Sequence, residues 1–468
     1  MARQTSTHQK AHQINLDDSR HGTFAEIGAG QEVARWFFHV GGAAGTVAKS
    51  ISAYDMAVSD SIYGQSDRYV SRNRLESMLA QEFNLLKKLL SGHRPPGTAF
   101  FVFADTMATR SFSRHDDGHG WMGVRFQHEP DSSPSEIILH VRMLDHENTR
   151  EQEAIGILGV DLLYGALYLW ERPEELITSL MDELTRDRIE IDLIRFSGPC
   201  FAHLDNRLMI LQLVVQSLTG AVMFTSSGEV VQPAEVLFKK PVIVERGSFR
   251  PVTNLTIDII ERARAHFMKN PSHAGTEPVV VLEMTLKNLL QGDTLDPADF
   301  LARADVLGAL GHDVIVTNFG AYYQLARYLR RYTQSPVVFP LGIPVLKELF
   351  DPKYYTGLPG GILDGFGQLF FGDVQLHVYP SRDPSSERLL TMHDMEVHEA
   401  VGHLFQYLVQ NGKMVALEEV DKDQLHTFPQ DVLRQIESGD STWESMVPDA
   451  AVKIIKSRSL FGYRKAAR

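Results

Sequence analysis

Four short runs rich in β-branched residues, "PVIVERG" (241–247), "PVVVLEMT" (278–285), "DVIVTNF" (313–319) and "SPVVFPLG" (335–342), alternate with helical segments at 254–268, 296–311 and 321–333. That alternation constrains the fold more than any other feature of the chain. Strands that are apolar along their whole length must be covered on both faces, and a parallel sheet wrapped by its crossover helices provides that cover. The C-terminal half is therefore expected to be a Rossmann-like parallel-sheet domain. Ligands on such sheets sit at the carboxyl ends of the strands. The segment "RGSFRPVT" (246–253) falls at one such end, directly before an amphipathic helix. A glycine turn that leads into a helix N-terminus can present backbone N–H groups to a phosphate, and it can equally be a plain strand-to-helix loop.

The first half is more mixed. Residues 1–95 read as largely helical, with Leu75, Met78, Leu79, Phe83, Leu86 and Leu90 on one face of a helix over 67–92. Strands at 98–106, 121–127, 136–144 and 189–198 then alternate with helices at 153–170, 173–187 and 206–218. The expected fold class is α/β. An N-terminal helical and α/β domain over 1–238 precedes the Rossmann-like domain over 239–468, with the boundary in "GEVVQPAEVLFKK" (228–240). A chain of 468 residues has ample material for two cores.

Composition narrows the function classes. A net charge of −13 argues against a dedicated nucleic-acid binder. Cys200 is the single cysteine, which excludes a disulfide framework within one chain and fits a reducing cytoplasm. The run "AIGILGVDLLYGALYLW" (154–170) carries Asp161 and is too short to span a bilayer, so it reads as a buried helix and no membrane partner is expected. Homo-oligomerisation is left open.

"VIVERGSFRPVTNLTIDIIERA" resembles the first strand, loop and helix of the nucleotidyltransferase superfamily, most closely its nicotinamide/nicotinate mononucleotide adenylyltransferase branch. Gly247, Ser248, Phe249, Pro251 and Thr253 match that signature in order, and Thr256 stands where the family has its final histidine. The resemblance implies an ATP-binding enzyme of NAD biosynthesis. It would transfer a nucleotidyl group from ATP, with Mg²⁺, to a mononucleotide and release pyrophosphate. It assigns Thr253, Thr256 and Arg250 to catalysis, and Gly247, Ser248, Phe249 and Arg246 to nucleotide binding. "IIKSRSLFGYR" (454–464) stands for the family's second signature and adds Lys456 and Arg458 as phosphate contacts. A catalytically inactive nucleotide-binding or self-assembling descendant is the alternative reading.

Three other segments invite chemistry. "HVGGAAGTVAKSISAYD" (39–55) has Ala48 where a P-loop needs glycine before Lys49, so it reads as a closely packed small-residue helix. "HEAVGH" (398–403) spaces His398 and His403 one residue wider than a zinc-peptidase helix does. A zinc metallopeptidase is therefore a minor alternative to an amphipathic helix. "RHDDGHGWMG" (114–123) gathers His115, Asp116, Asp117 and His119, either as a divalent-metal cluster or as a surface turn.

Overall fold

The computed structural model describes residues 5–28, 30–110, 118–271, 275–292, 294–383 and 387–464. His115, Asp116 and Asp117 lie outside the described residues. The chain forms two α/β units, Met1–Gly220 and Ala221–Arg468. The division thus falls before the expected boundary at 238. The reason is hydrogen bonding: the strand Ala221–Phe224 pairs antiparallel with Asp313–Thr317 and so belongs to the second sheet.

In the first unit, six strands are ordered β2-β1-β3-β4-β5-β6: β1 Arg20–Ile27, β2 Val47–Ile51, β3 Ala99–Ala108, β4 His119–Phe126, β5 Ser135–Met143 and β6 Ile189–Ser197. The first three run parallel, and β3 to β6 form an antiparallel meander. Helix α1 spans Thr7–Leu16, α2 Glu32–Val40, α3 Met56–Tyr63, α4 Arg72–Leu90 and α5 Asn148–Tyr168. On one face, Leu75, Met78 and Leu79 of α4 pack on Val102, Ala104 and Trp121. On the other, Phe37 of α2 meets Phe24 at 4.8 Å, and Gly159 of α5 leaves room for Val33, whose side chain would lie 2.3 Å from an added Cβ.

Residues 1–95 are less helical than expected, because β1 and β2 lie among them. β1, "RHGTFAEI", has no apolar run to announce it. Its Glu26 is buried and accepts hydrogen bonds from the Val33 and Ala34 amides at the start of α2 (3.0 and 2.9 Å). The segment 39–55 is likewise not a helix. Gly41 and Gly42 take positive φ (82° and 81°), which ends α2 and turns the chain into a short 3₁₀ turn and β2.

The second unit carries an eight-stranded sheet. Its strands are β7 Ala221–Phe224, β8 Val230–Val231, β9 Val242–Arg246, β10 Val279–Thr285, β11 Asp313–Thr317, β12 Val337–Gly342, β13 Val374–Tyr379 and β14 Met414–Ala416. The order across the sheet is β14-β13-β12-β9-β10-β11-β7-β8. β9 to β14 are all parallel. Numbered from β9, they read 6-5-4-1-2-3, the doubly wound Rossmann order. Helix α6 spans Asn254–Lys269, α7 Pro297–Ala309, α8 Tyr322–Leu329, α9 Ile343–Leu349, α10 Gly361–Leu369, α11 Gly402–Gln410 and α12 Asp449–Arg458. Val242 and Val244 face the core shared with α8 to α11, while Ile243 faces Ala263 and Phe267 of α6. Both faces are covered, as continuous apolar strands demand. Within α10, Gly365 serves packing, since a Cβ there would lie 2.3 Å from the Tyr355 ring.

Candidate functional site

In this strand order the connections reverse between β9 and β12, so the loops after those two strands flank a crevice at the topological switch point. The loop after β9 is Gly247–Val252. Thr253 caps α6, and its hydroxyl accepts the Thr256 amide at 3.4 Å. The peptide between Arg250 and Pro251 is cis, and Phe249 takes φ 48° while only 3% exposed. The Phe249 ring folds back over Gly247, where a Cβ would stand 2.8 Å from it. Gly247 is small because Phe249 needs the space.

The cations of the loop are all partnered. Arg246 forms a two-pronged ion pair with the fully buried Glu283, Nη2 donating at 2.9 Å. Its guanidinium lies over the Tyr322 ring at 4.5 Å, and the Thr317 hydroxyl also donates to Glu283 (2.5 Å). Burial opposes the charge on Arg246, but Glu283 outweighs it and holds the pKa above its ordinary value. Arg250 Nε donates to Asp299 at 2.6 Å. Asp299 also holds Arg303, which donates from Nε at 2.8 Å, and Arg303 Nη1 in turn donates to the carbonyls of Ser248 (3.0 Å) and Asn288 (2.9 Å). This Arg250–Asp299–Arg303 chain ties the loop to α7.

The start of α6 is also engaged. The Asn254 amide donates to the Met446 carbonyl (2.9 Å), and the Asn254 side chain donates to the Ser445 carbonyl (2.9 Å). Thr253 is buried and Thr256 is half-buried. Lys456 and Arg458, at the end of α12, pair with Glu444 and Asp305 at 2.5 Å each. The structure thus brings Arg246 to Thr256 together at the switch point, with each cation neutralised.

Sequence reasoning passed over Glu245, which stands inside an apolar strand. It is 8% exposed, it shares the α6-facing side of β9 with Ile243, and its Oε2 has no hydrogen-bond partner. Burial holds its carboxyl well above the ordinary carboxylate range. An acid raised in the folded state contributes fully below its unfolded pKa and loses that contribution as pH rises towards the folded pKa. Glu245→Gln should therefore be more stable than the native chain at neutral pH. The gap should open above about pH 4.3 at up to about 1.4 kcal/mol per pH unit. Urea titrations of both proteins across pH check this, and parallel curves would rule it out.

The HEAVGH segment does not form one helix. His398 precedes a 3₁₀ turn over Glu399–Val401, and His403 lies in the first turn of α11. Among the described residues, no group of three or more His, Cys, Asp or Glu side chains is placed to hold a metal. Of the residues an amphipathic helix would bury here, Val401 and Leu408 are buried, whereas Val397, Leu404 and Phe405 are only half-buried. No helix among the described residues is long and apolar enough to cross a membrane.

No protein-family model matches the chain, and no curated protein matches it. Solved structures with local likeness include the competence/damage-inducible protein CihA from Agrobacterium tumefaciens. It shows 14% identity over 36% of this chain and 99% of that one, at a TM-score of 0.25. A CinA superfamily protein from Klebsiella pneumoniae shows 12% identity over 36% of this chain and 100% of that one, at 0.26. Another from Escherichia coli shows 13% over 38% of this chain and 93% of that one, at 0.25. TM-scores this low carry no argument, and the α/β architecture rests on the chain's own strand order.

Proposed function

We propose that the second unit binds a nucleotide at its switch point and transfers a nucleotidyl group from ATP to a mononucleotide, such as nicotinamide or nicotinate mononucleotide. The observation that supports this reading is the position of "RGSFRPVT", at the carboxyl end of β9 beside the β12 turn, where doubly wound sheets take their ligands. The chemistry needs no protein nucleophile. The mononucleotide phosphate attacks the α-phosphorus of ATP, the bond to the β-phosphate oxygen breaks, and pyrophosphate leaves. The protein supplies position and charge. Mg²⁺ would arrive on the triphosphate, because the described residues offer no carboxylate cage for it.

Arg250 is the loop cation best able to change partners. Its side chain is 32% exposed, whereas Arg246 is 11% exposed and locked to Glu283. Pyrophosphate and dinucleotide should form together when the protein is mixed with Mg²⁺, ATP and the mononucleotide. Arg250→Ala should weaken ATP binding by roughly 1.5–3 kcal/mol, the range for a charge-assisted hydrogen bond. A second reading, nucleotide binding without turnover, is favoured by Thr256 at the histidine position and by the Met446 carbonyl on the Asn254 amide. Under it, ATP binds, no pyrophosphate appears, and Thr256→His raises turnover. If calorimetry detects no nucleotide binding, both readings fall and the unit is a structural descendant of the fold.

A further inference from the structure

In the first unit, at the end of the sheet where β4 begins and β5 ends, two histidines from separate strands face one another. His119 Nδ1 of β4 lies 3.4 Å from His140 Nε2 of β5. The other nitrogen of His140, Nδ1, is 2.6 Å from Asp192 Oδ1 of β6. Asp192 is 1% exposed and His140 is 3% exposed. A β-bulge makes the contact with Asp192: His140 pairs with Leu193 and Val141 with Ile191, which leaves Asp192 as the extra residue. Regular alternation would turn Asp192 to the face opposite Leu193, and the bulge re-aims it towards His140. Trp121 packs edge-on against the His140 ring at 4.8 Å and closes the apolar side.

Asp192 engages Nδ1 of His140, which leaves Nε2 as the ring nitrogen turned towards His119. His119 opens β4 and keeps an exposed flank, so the pair sits at the rim of the sheet. As a hydrogen bond, 3.4 Å is long. As a spacing between two nitrogens on one tetrahedral ion it fits, because Zn–N bonds of about 2.0–2.1 Å place two ligands about 3.3–3.4 Å apart. A carboxylate behind a ligating imidazole is the usual support for such a site.

We propose that His119 Nδ1 and His140 Nε2 form a divalent-cation site of the zinc class, with Asp192 as the positioning carboxylate. Two coordination positions remain for water or a small anionic ligand. Arg142, paired with Glu190 at 2.9 Å, and Arg68 also face the pair, and Asp192 and Glu190 offset their charge.

The test is equilibrium dialysis of the full chain against micromolar Zn²⁺ with metal quantitation, repeated with Co²⁺ to read the visible spectrum of the bound ion. The native protein should hold one ion per chain at this site, with a tetrahedral cobalt spectrum. His119→Gln, whose exposed flank keeps the fold safe, and His140→Ala should each abolish it. Asp192→Asn should weaken binding about 10- to 100-fold. His398→Ala, in the second unit and no part of this pair, should change nothing. Circular dichroism confirms that each variant is folded. Absence of bound metal in the native chain, or retention of the same ion in His119→Gln, overturns the proposal.

Discussion

Asp299→Ala should be among the most destabilising substitutions in the second unit, costing about 3–5 kcal/mol, the usual loss when one partner of a buried ion pair is removed. Asp299 is 8% exposed and holds both Arg250 and Arg303, and Arg303 is itself only 3% exposed. Burial already pulls the Arg303 pKa down, and Asp299 works against that pull. Without Asp299 a buried guanidinium has only the Ser248 and Asn288 carbonyls for partners. The loop after β9 should then lose its tie to α7, so nucleotide affinity should fall along with stability. Chemical denaturation followed in parallel with ATP calorimetry separates the two effects. A variant with native stability would show that the Arg250–Asp299–Arg303 chain holds nothing in place.

Lys10→Met should cost a similar amount in the first unit, about 3–5 kcal/mol at neutral pH. The Lys10 ammonium is 1% exposed and reaches Asp161 at 2.8 Å and Asp182 at 2.6 Å. Asp161 is fully buried in the middle of α5, where burial drives its carboxyl pKa well above the ordinary range and Lys10 lowers it. Removing the ammonium drives Asp161 higher still. A raised carboxyl contributes its stability below the unfolded value, about pH 3.9, and loses it as pH rises. The penalty of Lys10→Met should therefore be small near pH 4 and grow towards neutrality. Thermal denaturation at pH 4 and pH 7 checks this, and an equal penalty at both would refute the buried-pair account.

Elements whose burial follows from apolar residues alone were legible in the sequence. β9 to β12, α6 and α4 lie close to where hydrophobic spacing puts them, because side-chain period and burial say the same thing there. β1 was not legible. Its buried positions include Glu26, which is tolerated inside because the α2 amides receive it. The segment 39–55 failed for a related reason: small residues suit a helix interface and a glycine turn equally, and the positive φ of Gly41 and Gly42 decides between them.

The candidate site divides along the same line. By itself, the sequence determined that a turn with Gly247, Phe249 and Pro251 would follow an apolar strand and open an amphipathic helix, because those residue types leave the local backbone few other options. The tertiary structure alone decided what the side chains of that turn face. Arg246 meets Glu283 from a neighbouring strand, Arg250 meets Asp299 from α7, and the Asn254 amide meets Met446 from a segment far along the chain. The same holds for His119, His140 and Asp192, which three strands and one bulge bring into line. Ion pairs and ligand geometries depend on distances of a few ångströms between residues remote in sequence. Periodicity records which face of an element is buried, but it carries no record of the partner met there.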